Sequence, residues 1–178
     1  MSNTQHPGSS TRTKQIVQAD DQATREYLSF SLGSEEYGID ILKVQEIRGY
    51  ESPTRIAGAI DFCQGILNLR GVIVPIFDLR LKFGLADVPY NHLTVTVILI
   101  VEGRMVGVVV DSVSDVVELG RDQHRPFPEF EFNSNADSSY ITGIGTVEQD
   151  GQERMLILLD IEKLMSASAT EVVEPLLQ

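Results

Sequence analysis

Short apolar runs that alternate with period two, broken by glycine-containing turns, are the feature that most restricts the fold. The clearest pair of runs covers residues 94–101 and 104–110, on either side of Glu102 and Gly103. Two extended runs around a two-residue turn that ends in glycine are typical of a β-hairpin. The same pattern predicts hairpins at 27–41, around Gly33, and at 140–159, around Asp150 and Gly151. The sequence therefore predicts a mainly β domain.

A further apolar stretch is interrupted only by Gly71, which separates residues 66–70 from residues 72–77. We predict a bend or bulge at this glycine, inside one long extended stretch. Pro75 lies in the second half and has no N–H to donate, which favours an edge position in its sheet.

An internal echo indicates two similar lobes. Residues 74–83 and 156–165 each read as an apolar strand that ends at an aspartate, Asp78 or Asp160, before a segment with helical spacing. An aspartate at that junction can accept hydrogen bonds from the exposed N–H groups of a helix start. The pattern predicts two strand-rich lobes, each closed by a short helix.

The two ends of the chain differ from its middle. Residues 1–24 are rich in Ser, Thr, Gln and Asp and lack an apolar pattern, so we predict a flexible leader. Residues 25–166 are predicted to form the folded domain. Residues 167–178 are small, then acidic, then apolar, and form a tail that either docks as a short helix or frays.

Charge and apolar length exclude several classes of partner. The chain has 26 acidic and 14 basic residues and a net charge of −12, which disfavours binding to nucleic acid or to anionic membranes. The longest apolar run, residues 97–101, is far below the roughly 20 residues that a membrane helix needs, so we expect no direct membrane insertion. With no signal-peptide pattern, the expected location is cytoplasmic.

Cys63 is the one cysteine in the sequence, which excludes an internal disulfide and a metal site built from several cysteines. Two interpretations of its side chain remain open. It is either a small, partly buried apolar group or a redox-active or nucleophilic thiol.

Three sequence blocks, taken together, resemble the CheW family of chemotaxis adaptors. They are the blocks at 36–47, with Tyr-Gly-Ile-Asp-Ile; at 65–80, with Asn-Leu-Arg-Gly; and at 107–116, with Val-Asp-Ser-Val-Ser-Asp-Val. The resemblance runs from residue 26 to residue 165 in the same order and spacing. It implies two packed five-stranded SH3-like β-barrel subdomains with short helices.

The resemblance also implies partners and a location. Adaptors of this family join the cytoplasmic tips of chemoreceptors (methyl-accepting chemotaxis proteins) to the regulatory domain of the histidine kinase CheA. Other copies of the adaptor are possible neighbours in rings. The implied location is the cytoplasm, at membrane-associated chemoreceptor arrays. The alternative within this class is a specialised CheW-like scaffold of a chemosensory pathway that does not control motility.

The family's functional positions carry over to six residues. Those implied to bind the receptor are Val44, Gly65, Arg70 and Val116, and those implied to bind the kinase are Glu46 and Ile47. A structural interpretation stands beside several of them. Arg70 is otherwise an intramolecular salt-bridge partner, Val44 and Val116 are otherwise core residues, and Gly65 otherwise serves backbone geometry.

No pattern for catalysis is found in the sequence. The histidines, His6, His92 and His124, are not spaced as metal ligands, and there is no phosphate-binding glycine loop or nucleophile elbow. The aspartates at strand ends are assigned to turns and caps rather than to a carboxylate cluster. We therefore predict no enzyme activity, metal or cofactor.

Two other function classes compete with the adaptor interpretation. A phosphoaccepting or kinase protein needs a receiver or ATP-binding domain, for which the chain offers no room. A small-ligand barrel needs a polar interior, whereas these strands are rich in Val, Ile and Leu. The phenylalanines at 127, 130 and 132 either pack on the second lobe or form an exposed patch.

Overall fold

The computed structural model describes residues 23–85, 89–128 and 139–165, and these contain eleven strands and few helical residues. The strands are β1 (Arg25–Leu32), β2 (Glu35–Asp40), β3 (Val44–Gly49), β4 (Cys63–Leu69), β5 (Val72–Asp78), β6 (Val95–Val101), β7 (Arg104–Val110), β8 (Ser112–Leu119), β9 (His124–Arg125), β10 (Ile141–Gln149) and β11 (Gln152–Leu159). Helix α1 (Leu79–Lys82) follows β5, residues 161–165 are helical after β11, and 3-10 turns occupy Ile41–Lys43 and Arg121–Gln123.

The strands form two sheets, and one is inserted into the other along the chain. A five-stranded sheet has the order β3-β6-β7-β5-β4, and we call it the inserted lobe. A six-stranded sheet has the order β8-β1-β2-β11-β10-β9, and we call it the outer lobe. The predicted mainly β, two-lobed fold is confirmed, with the two-residue strand β9 as a sixth strand in the outer lobe.

The predicted hairpins are confirmed at their turns. Strands β6 and β7 pair antiparallel up to Val101 and Arg104, with both turn residues, Glu102 and Gly103, at positive φ of 49° and 76°. The turn between β10 and β11 has the same geometry, with φ of 53° at Asp150 and 76° at Gly151. Two successive positive φ angles give the turn a twist that matches the flanking strands.

The predicted bend at Gly71 is wrong, because this glycine completes a tight hairpin. Arg70 and Gly71 have φ of 53° and 88°, and β4 pairs antiparallel with β5 from Leu69 and Val72 onward. Asn68 Oδ1 accepts a hydrogen bond from the Gly71 N–H at 2.8 Å, which stabilises the turn. An arginine in the first left-handed position concealed the turn signal.

The predicted edge position of Pro75 is also wrong. Strand β5 lies inside the sheet, between β7 and β4. Pro75 is opposite Ile66 of β4, and the parallel pairing with β7 starts one residue later, at Ile76. An imino acid is accommodated in an interior strand because the second ladder begins after it.

Apolar side chains form one core between the lobes and one within each lobe. The interlobe core is the largest and takes Leu28, Phe30 and Leu32 from β1 together with one face of β6 and β7. The other face of those strands, with Ile98 and Val109, joins the core of the inserted lobe. Because both faces of β6 and β7 are buried, these strands read as nearly continuous apolar runs.

The two short helices begin as the internal echo predicts. Asp78 Oδ1 accepts a hydrogen bond from the Arg80 N–H at 2.9 Å, and Asp160 Oδ1 accepts from the Glu162 N–H at 3.0 Å. Each carboxylate satisfies a donor that has no partner within its own helix.

The leader (1–24) lies outside the described residues except for residues 23 and 24, and the tail (167–178) lies wholly outside them. The domain boundaries therefore stay predictions, as do the interpretations of the phenylalanines at 130 and 132. Among residues 23–85, 89–128 and 139–165, no helix has the length and apolar character needed to cross a membrane.

Candidate functional site

Strand β3 carries three of the six predicted positions at one edge of the inserted lobe. It pairs only with β6 in its sheet, so its other edge is unpaired. Ile47 is 44% exposed, whereas Val44 is half-buried and packs against the interlobe core. The predicted positions on this strand therefore differ in exposure. Val44 is partly a core residue, whereas Ile47 presents apolar surface to solvent.

Arg70 projects from the β4–β5 turn toward the middle of β3. Its Nη2 lies 2.8 Å from Glu46 Oε2, while its side chain keeps 71% of its surface exposed. The intramolecular salt bridge that was one interpretation of Arg70 is thus present. Since an exposed ion pair of this kind contributes little to stability, the guanidinium can turn to a partner at little cost.

Glu46 is held in its ionised form by two arginines. Arg70 donates a hydrogen bond to one carboxylate oxygen, and Arg48 Nη1 donates to the other at 2.9 Å. These hydrogen bonds lower the pKa of the Glu46 carboxyl below its ordinary value, and the bond from Arg70 has the largest effect. A residue assigned to the kinase face and a residue assigned to the receptor face are therefore in direct contact.

Gly65 has a clear backbone function. Its φ is 134°, and a Cβ at this position would lie 2.0 Å from the carbonyl oxygen of Thr54. The contact arises because Thr54 and Ile66 form an isolated antiparallel bridge, in which each backbone N lies 2.9 Å from the carbonyl oxygen of the other residue. Glycine lets the segment after β3 lie flat against β4. Its predicted receptor contact stays a prediction.

Val116 belongs to the outer lobe, on the edge strand β8. It is 50% exposed, while its neighbour Val117 is buried in the outer-lobe core. The core interpretation of Val116 is therefore wrong. The predicted receptor-binding set is spread over both lobes, with Val116 on one and Gly65 and Arg70 on the other.

Sequence reasoning missed a buried polar network at the lobe junction. The Arg80 guanidinium is 4% exposed and binds the Asp78 carboxylate with two hydrogen bonds, Nε to Oδ1 at 3.0 Å and Nη2 to Oδ2 at 2.8 Å. Its Nη1 lies 3.4 Å from Asp111 Oδ1. The other oxygen of Asp111 accepts from the Gly33 N–H of the outer lobe at 2.7 Å. Asp111 thus connects the two lobes.

Two tyrosines extend this network to the surface. Arg80 Cζ lies 4.5 Å from the centroid of the Tyr90 ring, and Tyr90 Oη lies 2.9 Å from Asp78 Oδ2. Burial, together with the hydrogen bond to Asp78, raises the pKa of the Tyr90 hydroxyl, so it stays protonated at neutral pH. Tyr50, next to the end of β3, stacks on Tyr90 with ring centroids 4.0 Å apart.

A second charge cluster lies on the outer lobe beside Val116. Arg154 binds both carboxylate oxygens of Glu36, at 2.9 Å and 2.8 Å, and lies 3.6 Å from Asp115 Oδ1. Asp115 also accepts a hydrogen bond from the buried Ser29 hydroxyl at 2.8 Å. These contacts fix three neighbouring strands, β1, β2 and β11, to β8.

The described residues give no support to catalytic chemistry. They include no group of three or more His, Cys, Asp or Glu side chains placed to hold a metal ion. Cys63 is half-buried, and burial raises the pKa of its thiol. A thiol with a raised pKa is a poor nucleophile at neutral pH, which favours the apolar interpretation of Cys63.

Comparison with known proteins agrees with this geometry. The profile of the CheW-like domain family matches residues 26–169. Chemotaxis protein CheW of Klebsiella aerogenes is 54% identical over 150 residues, which cover 84% of this chain and 87% of that protein. The probable chemotaxis protein CheW of Rhizobium etli is 31% identical over 157 residues, covering 87% and 96% of the two chains.

A solved structure agrees as well. The crystal structure of the scaffolding protein TtCheW from Thermoanaerobacter tengcongensis superposes with a TM-score of 0.69 at 30% identity, covering 79% of this chain and 92% of that chain. The arrangement of two sheets described above is therefore shared with a scaffolding protein.

Proposed function

This chain belongs to the family of CheW-like domains and is a non-catalytic scaffold of chemotaxis, and we propose that it couples chemoreceptor tips to the histidine kinase CheA. In this proposal Val44, Gly65, Arg70 and Val116 serve the receptor, and Glu46 and Ile47 serve the kinase. Residence in the cytoplasm at receptor arrays, and contact with other copies in rings, belong to the same proposal.

The observation that carries the proposal is the exposed, ion-paired guanidinium of Arg70. Receptor tips are helical, and a helix bearing carboxylates can take over the ion pair of this side chain, because the exposed pair that Arg70 gives up is weak. Arg48 keeps a hydrogen bond to Glu46 at 2.9 Å when Arg70 turns to a partner. The switch therefore leaves no carboxylate unpaired.

The apolar part of each proposed surface lies on a strand edge. Ile47 is 44% exposed on β3, and Val116 is 50% exposed on β8. Exposed β-branched residues at unpaired edges offer a partner both apolar contact and free backbone groups. Because the Arg70–Glu46 pair joins the two proposed faces, binding at one face alters the charge available at the other.

Coupling is tested by CheA autophosphorylation with receptor-containing membranes and the full-length chain. We expect the wild type to raise kinase activity and an attractant to reverse the rise. Arg70→Glu should abolish the rise while its melting curve stays that of the wild type. The matched control is Arg104→Glu, which reverses an exposed arginine of the same lobe that has no side-chain partner among the described residues.

The kinase face is tested separately by binding to the isolated CheA regulatory domain. Ile47→Ser should weaken that binding, and Met155→Ser, which changes a side chain 64% exposed on the outer lobe, should not.

Equal coupling by the Arg70 and Arg104 variants would refute the assignment of Arg70. A wild type that binds CheA but leaves its activity unchanged would favour a specialised scaffold outside the main array.

A further inference from the structure

The polypeptide passes between the two lobes at two places. It leaves the outer lobe through the 3-10 turn Ile41–Lys43, between β2 and β3, and it returns at Asp111, between β7 and β8. The second passage has no spacer, because β7 ends at Val110 and β8 begins at Ser112. The backbone at Asp111 is therefore a point about which the lobes can rotate relative to each other.

Apolar contacts hold the lobes together but leave their relative angle loosely defined. The ring of Phe83, just after α1 in the inserted lobe, stacks between the outer-lobe rings of Tyr37 and Tyr140, with centroid distances of 5.5 Å and 5.6 Å. All three rings pack against the interlobe core. Because apolar attraction depends on contact area and has no preferred direction, it opposes separation of the lobes more strongly than a small sliding rotation.

Directional contacts at the second passage come from Asp111, whose two carboxylate oxygens bind opposite lobes. Oδ2 accepts a hydrogen bond from the Gly33 N–H of the outer lobe at 2.7 Å, and Oδ1 lies 3.4 Å from Arg80 Nη1 of the inserted lobe. The backbone N–H of Asp111 also donates to the Ser31 carbonyl oxygen at 3.1 Å. Hydrogen bonds weaken steeply when they bend, so these contacts oppose a rotation at Asp111.

Arg80 is a rigid anchor for the Asp111 carboxylate. Its guanidinium is buried at the start of α1 and is held by two hydrogen bonds to Asp78, at 3.0 Å and 2.8 Å. The ion pair at the first passage, Lys43 with Glu162 at 2.6 Å, differs because both side chains are more than a third exposed. Exposed pairs of this kind constrain a structure weakly. The directional constraint on the lobe angle therefore lies mainly at the second passage.

We propose that Asp111, held by Arg80, is a positioning residue that sets the angle between the lobes and thereby places Val116 relative to Arg70. Val116 lies five residues beyond Asp111 along β8, which is about 17 Å at the rise of a strand. A rotation of about 10° at Asp111 therefore displaces Val116 by roughly 3 Å. The part that concerns receptor binding rests on the proposed function, in which a receptor tip contacts both lobes.

The lobe angle is measured as a distance between two nitroxide spin labels by double electron–electron resonance on the full-length protein. The labels are attached at Arg104→Cys on the inserted lobe and Glu153→Cys on the outer lobe, both exposed positions, in a Cys63→Ala background. In Asp111→Ala we expect the distance distribution to shift or broaden by roughly 3 Å, the displacement that a rotation of about 10° produces. Melting curves establish that each labelled variant is folded.

The control removes a carboxylate of the same strand without touching the lobe junction. Asp115→Ala does so, because Asp115 contacts Ser29 and Arg154, which both belong to the outer lobe. It should leave the distance distribution unchanged. An unchanged distribution in Asp111→Ala, or an equal change in both variants, would overturn the proposal. If Asp111→Ala does not fold, Asp111→Asn serves in its place with the same direction of change, since it removes the charge that faces Arg80.

Binding measurements test the consequence for the receptor. Asp111→Ala should bind receptor-containing membranes about threefold more weakly, as expected when the half-exposed Val116 loses its apolar contact. Its binding to the isolated CheA regulatory domain should not change, because Glu46 and Ile47 both lie on β3 of the inserted lobe. Equal receptor binding by wild type and variant, despite an altered lobe distance, would refute the positioning role. A wild type that binds no receptor refutes the proposed function instead, and the spin-label distance still decides whether Asp111 sets the lobe angle.

Discussion

The buried Arg80–Asp78 pair allows a prediction with a worked magnitude. Replacing Arg80 with methionine keeps the apolar length of the side chain and removes its polar contacts, including two hydrogen bonds to Asp78 and one to Asp111. The Asp78 carboxylate, in a residue 1% exposed, then keeps Tyr90 Oη and the backbone N–H of position 80 as its partners in the described part of the chain. A buried carboxylate that loses its cation costs about 3–5 kcal/mol of the free energy of unfolding.

The two remaining partners of Asp78 place the expected cost at the lower end, at about 3 kcal/mol. For a chain of this size that loss lowers the melting temperature by roughly 6–12 °C. Urea denaturation followed by far-ultraviolet circular dichroism measures the free energy of unfolding, and calorimetry measures the melting temperature. Arg104→Met, an exposed arginine without a side-chain partner in the described residues, should cost less than about 0.5 kcal/mol.

The double variant Arg80→Met/Asp78→Asn makes the reasoning refutable. It removes the orphaned charge, while the amide oxygen can still accept the hydrogen bond of the helix start, so at least half of the lost stability should return. A single variant that costs less than about 1 kcal/mol, or a double variant no more stable than the single one, would show that the charge pair is not what stabilises the lobe junction.

Three further predictions concern a turn, a charge and an orphaned hydroxyl. Gly65→Ala should lower the free energy of unfolding by more than about 2 kcal/mol, because the new Cβ would lie 2.0 Å from a backbone oxygen. Gly71→Ala should lower it by only about 1 kcal/mol in the same denaturation assay, since nothing lies within 4 Å of its Cβ. Equal losses would contradict the steric argument. The pKa of Glu46 is lowered by its hydrogen bonds to Arg70 and Arg48, so the ion pair with Arg70 stays intact from neutral pH until the pH falls through that lowered pKa. In a carbon-13 NMR titration Arg70→Ala should raise the pKa of Glu46, and an unchanged pKa would refute the pairing. Thr96 Oγ1 is buried without a hydrogen-bond partner in the described part of the chain, so Thr96→Val should be neutral or stabilise by up to about 1 kcal/mol, and a clear loss of stability would reveal a missed partner.

The mainly β fold and most turns could be predicted because their signals are local. Asp150-Gly151 and Glu102-Gly103 each place glycine second in a two-residue turn, and the capping roles of Asp78 and Asp160 follow from strand ends alone. The hairpin at Arg70 was missed because a long side chain at positive φ is uncommon, and the energy that enforces it comes from pairing of the flanking strands.

The junction network was beyond prediction because its members are distant in sequence. Arg80 and Asp78 are two positions apart, but Tyr90 and Asp111 reach them only once the inserted lobe has folded, and the contact of Asp111 with Gly33 needs both lobes. The one clue in the sequence was Arg80, which follows the capping Asp78 by two residues and lies on the buried side of the short helix. Likewise, no local pattern predicted the contact between Glu46, assigned to the kinase face, and Arg70, assigned to the receptor face.

The insertion of one lobe into the other has a consequence for how the chain acquires its structure. The inserted lobe is contiguous, and its hairpins β4–β5 and β6–β7 close over short loops. In the outer lobe Tyr37 of β2 must find Ile157 of β11, so β1 and β2 leave the ribosome long before one of their partners exists. Contacts between such distant residues form slowly. Until they form, Leu28, Phe30 and Leu32 lack the part of the interlobe core that β11 and the helix 161–165 contribute, so this edge of the nascent chain is where we expect chaperones to bind and misassembly to start.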